Sequence, residues 1–164
     1  MNYKEIISSI SNKKLNPVYF LMGNEPYYID NLTERFSKEI ISKEEQEFNQ
    51  VILYGKDVST ETVIAEAKQY PFGSEKRVVI VKEAQHLKNI EILDSYLDNP
   101  QISTVLVIAY KGKSVDKRKK FGKSLTKKCV VFESKRLYDN KIPSWILEYI
   151  NIKGYKIDNN ATAI

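Results

Sequence analysis

The residues PVYFLMGNEPYYID, at positions 17–30, indicate an α/β fold. The apolar run 18–22 predicts a buried strand, and Pro26 suits the first turn of an amphipathic helix that follows at once. A sharp turn from strand to helix is the arrangement that nucleotide-binding α/β domains use to hold phosphate groups. The sequence therefore predicts the scaffold of such a domain.

The turn itself, residues 23–26, lacks the groups that bind phosphate. A phosphate-binding loop needs exposed backbone N–H groups, a lysine and a hydroxyl. Glu25 instead places a carboxylate where the phosphates would lie, and Pro26 has no N–H to donate. We therefore expect a nucleotide-binding scaffold without its nucleotide chemistry, with no cofactor, and a binding protein rather than a catalyst.

Two Gly-Lys-Ser triplets, at 112–114 and 122–124, imitate a phosphate-binding loop. That loop also needs a glycine five positions before its Gly-Lys pair, where this chain has Val107 and Lys117. The acid that would hold Mg²⁺ at the end of the third predicted strand is also missing, because Lys82 follows Val81 directly, and Glu83, one position later, remains a candidate. We expect neither triplet to bind a nucleotide.

Strands and helices alternate along the chain, which is typical of a parallel sheet with helical layers. Further strands are predicted at 48–54, 77–82, 104–110 and 129–132, and helices near 3–10, 26–42, 60–68, 90–97 and 116–128. The strand sequences RVVIVK and TVLVIAY do not alternate between apolar and polar residues, so both faces of these strands should be covered.

The pattern of the sequence changes after residue 140. Apolar and aromatic residues then recur at helical spacing: Ile142, Trp145, Ile146, Tyr149 and Ile150. The sequence predicts an α/β domain over 1–140 and, over 141–164, the beginning of a helical domain that this chain does not finish.

Composition is that of a globular protein, with 42% hydrophobic and 29% charged residues among 164. Apolar runs such as 78–81 and 105–109 are far shorter than the roughly 20 residues that span a bilayer. Cys129, the single cysteine, excludes an internal disulfide, and the reducing cytoplasm is the expected location. No membrane partner is expected.

Residues 111–128 account for the net positive charge of the chain. This basic segment holds nine Lys/Arg and one acid, whereas the remainder has 17 Lys/Arg and 20 acids. Two interpretations are open: a solvated helix with Phe121 and Leu125 turned to the core, or a surface that lies along a nucleic-acid backbone.

Side chains for metal or nucleophilic chemistry are too few to form a familiar site. His86 is the only histidine, so no zinc site or catalytic triad has support in the sequence. Cys129 and Trp145 are both predicted to be packing residues.

The most suggestive segment is Gln69-Tyr70-Pro71-Phe72, which lies between the third predicted helix and the third strand. From the residues alone, the two rings either fold back onto the core or point outward to fill a groove of a partner.

Four stretches, PVYFLMGNEPYYID, QYPFGSEKRVVIV, VDKRKKFGKSLTKK and IPSWILEYI, together resemble the delta subunit of the bacterial DNA polymerase III clamp loader. The resemblance extends over essentially the whole chain. It implies an AAA+-like domain without a functional P-loop over 1–140 and the start of a lid-like domain over 141–164. The collar domain of that family does not follow, so the chain is expected to be a fragment.

Delta subunits bind the ring-shaped sliding clamp through apolar residues in a helix–strand turn and open one interface of the ring. The resemblance implies this role for residues 69–72, with Phe72 at the aromatic position of the family and Gln69 as an amide contact. The family often has a leucine or second aromatic beside that phenylalanine, whereas Tyr70 and Pro71 stand here. The implied partners are the clamp (the beta subunit), the delta prime and gamma/tau subunits, and, as a further candidate, DNA.

The resemblance thus implies a replication protein without ATPase activity of its own, as one component of a DNA-directed DNA polymerase (nucleotidyltransferase) holoenzyme. Two alternative functions are compatible with the residues. One is an NTPase with an atypical phosphate loop, and the other is a nucleic-acid-binding α/β module that uses the basic segment.

Overall fold

The computed structural model describes residues 1–162, apart from the side chain of Asn159. Its five strands are β1 (Val18–Gly23), β2 (Gln50–Tyr54), β3 (Arg77–Lys82), β4 (Thr104–Lys111) and β5 (Val130–Ser134). They form one parallel sheet in the order β2-β3-β4-β1-β5. The predicted parallel sheet is confirmed.

Helices connect the strands and cover the sheet. They are α1 (Tyr3–Ser11), α2 (Pro26–Glu39), α3 (Lys43–Asn49), α4 (Thr60–Ala67), α5 (Asp94–Leu97), α6 (Lys120–Lys128), α7 (Ile142–Ile152) and α8 (Asn159–Thr162). Short 3-10 turns lie at Ala84–His86, Ile90–Leu93 and Asp139–Lys141. Over residues 1–162, no helix combines the length and the apolar character needed to cross a membrane.

The sheet has a buried apolar layer on each face. Tyr19 and Ile80 face one layer with α1 and α2, and Phe20 and Val79 face the other with α4 and α6. All six residues of β1 are buried. The non-alternating strand sequences follow from this arrangement, because residues on both faces of a central parallel strand are buried.

Helix α3 replaces the first part of the strand predicted at 48–54. Ser42 and Glu45 form a capping box, in which each side chain accepts a hydrogen bond from the backbone N–H of the other. Such a box starts a new helix. Phe48 and Asn49 therefore end a helix, and the strand begins only at Gln50.

The basic helix begins later than predicted, at Lys120 instead of 116. The carboxylate of Asp116 accepts a hydrogen bond from the backbone N–H of Arg118 at 2.9 Å. Asp side chains that bond the backbone two residues ahead stabilise turns rather than helices, so residues 116–119 form the turn before α6.

The chain divides into two compact units. The first comprises residues 1–134 and contains the whole sheet. The second starts at Lys135, a few residues before the boundary at 140 that we expected from the sequence, and includes α7. In α7, Trp145 stacks on Tyr149 with ring centroids 5.3 Å apart. The assignment of this unit to a lid-like domain stays a prediction.

Candidate functional site

The turn between β1 and α2 has little free capacity for an anion. The carboxylate of Glu25 caps α2 and accepts the N–H of Tyr27 at 3.2 Å. Pro26 is the first helical residue and has no N–H. The N–H of Gly23 already donates to the carbonyl of Lys113 at 3.1 Å. A phosphate at this helix end would meet the carboxylate of Glu25.

Gly23 also allows the turn to lie close to β5. Its φ is +130°, and a Cβ built at this position would be 2.0 Å from the carbonyl oxygen of Ser134. Glycine is required here by contact with the neighbouring strand. The glycine at the start of this turn is therefore explained by packing and needs no bound phosphate.

Lys111, at the end of β4, neutralises the acids nearby. Its Nζ lies 2.6 Å from Glu83 Oε1 and 3.0 Å from Asp30 Oδ1. The hydrogen bond from Lys111 is the main cause that lowers the pKa of Glu83. Burial of Lys111 opposes its charge, but its bonds to the two acids outweigh burial and raise its pKa. Glu83, the acid considered for Mg²⁺, thus already has a cationic partner.

Neither Gly-Lys-Ser triplet forms a phosphate cradle. Gly112 follows β4 and donates its N–H to the carbonyl of Gly23 at 3.0 Å. Gly122 lies inside α6, where the N–H of the next residue, Lys123, is bonded to the carbonyl of Lys119. Residues 1–162 also contain no cluster of three or more His, Cys, Asp or Glu that could hold a metal ion.

Residues 69–72, which we call the docking turn, lie at the other end of the sheet. They belong to the connection between α4 and β3, as the sequence predicted. Tyr70 is 78% exposed and Phe72 is 75% exposed. The interpretation in which both rings fold back onto the core is therefore wrong. Gln69 is also exposed, and its carbonyl accepts a hydrogen bond from the buried hydroxyl of Thr104 at 3.2 Å.

The backbone of the docking turn is held by Asn49 at the end of α3. The N–H of Phe72 donates to Asn49 Oδ1 at 2.7 Å, and Asn49 Nδ2 donates to the carbonyl of Phe72 at 2.8 Å. The preceding residue, Phe48, is 60% exposed, and its ring centroid lies 5.9 Å from that of Phe72. Two exposed aromatic rings, one from α3 and one from the docking turn, are thus paired.

Arg77, the first residue of β3, anchors the surrounding chain. Its guanidinium is buried and binds Glu66 Oε2 at 2.6 Å. It also donates to the carbonyl of Phe48 at 3.1 Å. The ends of α3 and α4 are therefore tied to the same side chain, so the docking turn extends from fixed supports.

Ile102 adds a further exposed apolar side chain at the same end of the sheet. It lies just before β4 and is 77% exposed. We call Phe48, Tyr70, Phe72 and Ile102 the apolar edge, because they precede the neighbouring strands β2, β3 and β4. Phe48 and Ile102 were not predicted from the sequence, since only the parallel order of the strands brings them to this end.

Part of the basic segment is neutralised within the protein. Lys117 pairs with Glu133, Arg118 with Asp116, and Lys128 with Asp94 and Asp98. Among the described residues, no ion pair is formed by five exposed lysines of this segment: Lys113, Lys119, Lys120, Lys123 and Lys127.

Helix α6 turns its apolar side chains to the core. Leu125 is buried, and Phe121 packs against the same apolar layer. The predicted amphipathic helix is confirmed, and DNA contact by its lysines stays a prediction. Cys129 follows the helix, and burial raises the pKa of its thiol to about 12. A thiol with such a pKa is protonated at neutral pH and suits the packing role expected for it.

Comparisons with known proteins agree with this architecture. The family model for the DNA polymerase III delta subunit matches residues 19–135. The chain is 29% identical over 143 residues to DNA polymerase III subunit delta of Bacillus subtilis (strain 168), covering 81% of this chain and 41% of that protein. The chain thus spans less than half the length of this curated relative.

Solved structures show the same fold. The Bacillus subtilis DNA clamp loader delta protein (YqeN) matches with a TM-score of 0.79 and 26% identity, over 98% of this chain and 50% of that one. A mutant of Thermotoga maritima RuvB matches with a TM-score of 0.55 and 13% identity, over 96% of this chain and 51% of that one. At this low identity the match shows a similar fold and nothing more. The AAA+-like fold is confirmed, and the chain belongs to the DNA polymerase III delta subunit family.

Proposed function

We propose that this chain binds a bacterial sliding clamp through the docking turn and helps to open it for loading on primed DNA. The observation that carries the proposal is the exposure of Tyr70 and Phe72 on a turn with fixed supports. Large aromatic rings exposed in this way are typical anchors of protein interfaces. Membership of the delta subunit family supports the clamp as the partner.

The chain is proposed to lack ATPase activity of its own. Glu25 and Pro26 stand at the helix end where a phosphate would bind, and Lys111 already pairs with Glu83. The energy for loading would come from neighbouring ATPase subunits, such as gamma/tau, in a complex that also contains delta prime. The chain would act by differential binding, because a protein that prefers the open ring shifts the ring towards that state.

The size of the docking turn suits moderate affinity. Burying Tyr70, Pro71 and Phe72 contributes about 1.5–3 kcal/mol for each large side chain, before the cost of ordering. The sum is at most about 9 kcal/mol, which suits a dissociation constant near the micromolar range, about −8 kcal/mol, and not a picomolar one.

Calorimetric titration of the chain into its cognate clamp tests this proposal. The variant Phe72→Ala should bind at least tenfold more weakly, because it removes the exposed ring of the docking turn that lies beside Phe48. The matched control is Tyr138→Ala, which removes an exposed ring outside the docking turn and should leave the affinity unchanged. Equal affinities for the wild type and Phe72→Ala would remove Phe72 from the site.

A further inference from the structure

We propose that Asn49 is the positioning residue of the docking turn, and that it sets Phe72 beside Phe48 so that both rings meet the clamp as one surface. This inference rests on the proposed clamp binding. It extends the contact surface to helix α3, a second segment of the chain. The two residues of this segment act differently: Phe48 would contact the clamp, whereas Asn49 would act through Phe72.

The Asn49 side chain bonds both backbone hydrogen-bonding groups of Phe72, its N–H and its carbonyl. The Asn49 carboxamide accepts the N–H and donates to the carbonyl of the same residue. A neighbouring strand would bond a backbone in the same way, but residue 72 lies outside the strands. Asn49 is only 1% exposed, so water competes little for these two hydrogen bonds.

The flanking residues leave this support to Asn49. Pro71 has a fixed φ, and Gly73 adopts a left-handed φ of +62°. A Cβ built on Gly73 would have no neighbour within 4 Å, so no other segment packs against the side-chain position of Gly73. Side-chain packing at Gly73 therefore cannot orient Phe72, whereas the two hydrogen bonds from Asn49 can.

Phe48 is fixed by the same part of the chain. Its carbonyl accepts a hydrogen bond from the buried Arg77, and its ring lies beside that of Phe72. Phe48 and Asn49 are consecutive, so the end of α3 supplies one exposed ring and the two hydrogen bonds to the backbone of Phe72. We call this pair of hydrogen bonds the clasp. Two rings held together before binding lose less conformational freedom when they dock, which favours affinity.

The positioning role can be separated from a general effect on folding by a double-mutant cycle. Asn49→Ala should weaken clamp binding about tenfold in the wild-type background, equivalent to about 1.4 kcal/mol. In the Phe72→Ala background the same change should have no further effect, since Asn49 acts through Phe72. Equal losses in both backgrounds would overturn the positioning role. Phe48→Ala should weaken binding severalfold, and unchanged binding would exclude Phe48 from the surface.

Hydrogen exchange in the free wild-type chain tests the clasp without any variant and without the clamp. The Phe72 amide should exchange much more slowly than the amide of exposed Tyr70, which has no hydrogen-bond partner among the described residues. Equally fast exchange of the two amides would overturn the clasp, whatever the clamp does. A slow Phe72 amide together with no clamp binding would instead refute the proposed function and leave the clasp standing.

Discussion

Lys111 shows how one side chain can join several elements at the end of the sheet near β1 and α2. It bonds acids on two different elements, Asp30 of α2 and Glu83 after β3. Its backbone N–H also donates to Gln85 Oε1 at 3.0 Å. A lysine with these contacts connects the strand ends directly, so that no bound metal or nucleotide is needed to neutralise the acids.

Lys111→Met should destabilise the fold by about 1 kcal/mol at neutral pH, because Glu83 and Asp30 lose their shared cation. The pKa of Glu83 is lowered in the folded state, so this contribution is present above the ordinary pKa of a glutamate. It is lost as the pH falls through the lowered value. Urea unfolding of both proteins at several pH values measures the difference.

The exposed pair Lys38–Glu34 provides the control for this experiment. Lys38→Met should change the free energy of unfolding by only a few tenths of a kcal/mol, since exposed i,i+4 pairs contribute little. The role of Glu83 would be contradicted if the difference in free energy of unfolding between wild type and Lys111→Met stayed constant into strong acid.

At the scale of elements, close contacts decide where helices lie. Helix α6 approaches the turn before it at Gly122, where a built Cβ would be 2.2 Å from the carbonyl oxygen of Asp116. Propensity alone favours alanine over glycine inside a helix by about 1 kcal/mol. Packing and propensity thus make opposite predictions for this position.

Gly122→Ala should lower the free energy of unfolding by at least about 2 kcal/mol, because backbone atoms would have to move. Lys123→Ala, at the next and exposed position of the same helix, should be close to neutral or slightly stabilising. Thermal and urea unfolding compare the two. A more stable Gly122→Ala would show that the helix can shift away from the turn without cost.

The elements differ in how far the sequence predicts them. Buried runs such as those in β3 and β4 were predictable, since both faces of a central strand need apolar residues. Helix α3 was missed because the apolar and aromatic residues at 48–54 favoured a strand throughout. The capping box of Ser42 and Glu45 was the signal that could have revealed it.

The candidate site was predictable only in part, because some of its residues come from segments that are distant in the sequence. Residues 69–72 follow from the family resemblance, and the structure adds the exposure of their rings. The hydrogen bond from Asn49 to Phe72 and the place of Ile102 at this end of the sheet both depend on how distant segments are brought together. No local pattern in the sequence records those contacts, so they appear only once the strands are placed side by side.

At the scale of the sheet-containing unit, residues 1–134, the two ends of the sheet have different properties. The end near β1 and α2 is closed by Glu25, Pro26 and the ion pairs of Lys111. The opposite end carries the apolar edge. In the proposed function, binding therefore belongs to the end of the sheet opposite residues 23–26.

Cross-saturation NMR of the isotope-labelled chain with its unlabelled cognate clamp tests this division most directly, because it maps contacts residue by residue. Signal loss should concentrate at residues 69–72 and at Phe48, and Mg-ATP should cause no shift at residues 23–26. Signal loss confined to the basic segment 111–128, or shifts at 23–26 on addition of Mg-ATP below millimolar concentration, would contradict it.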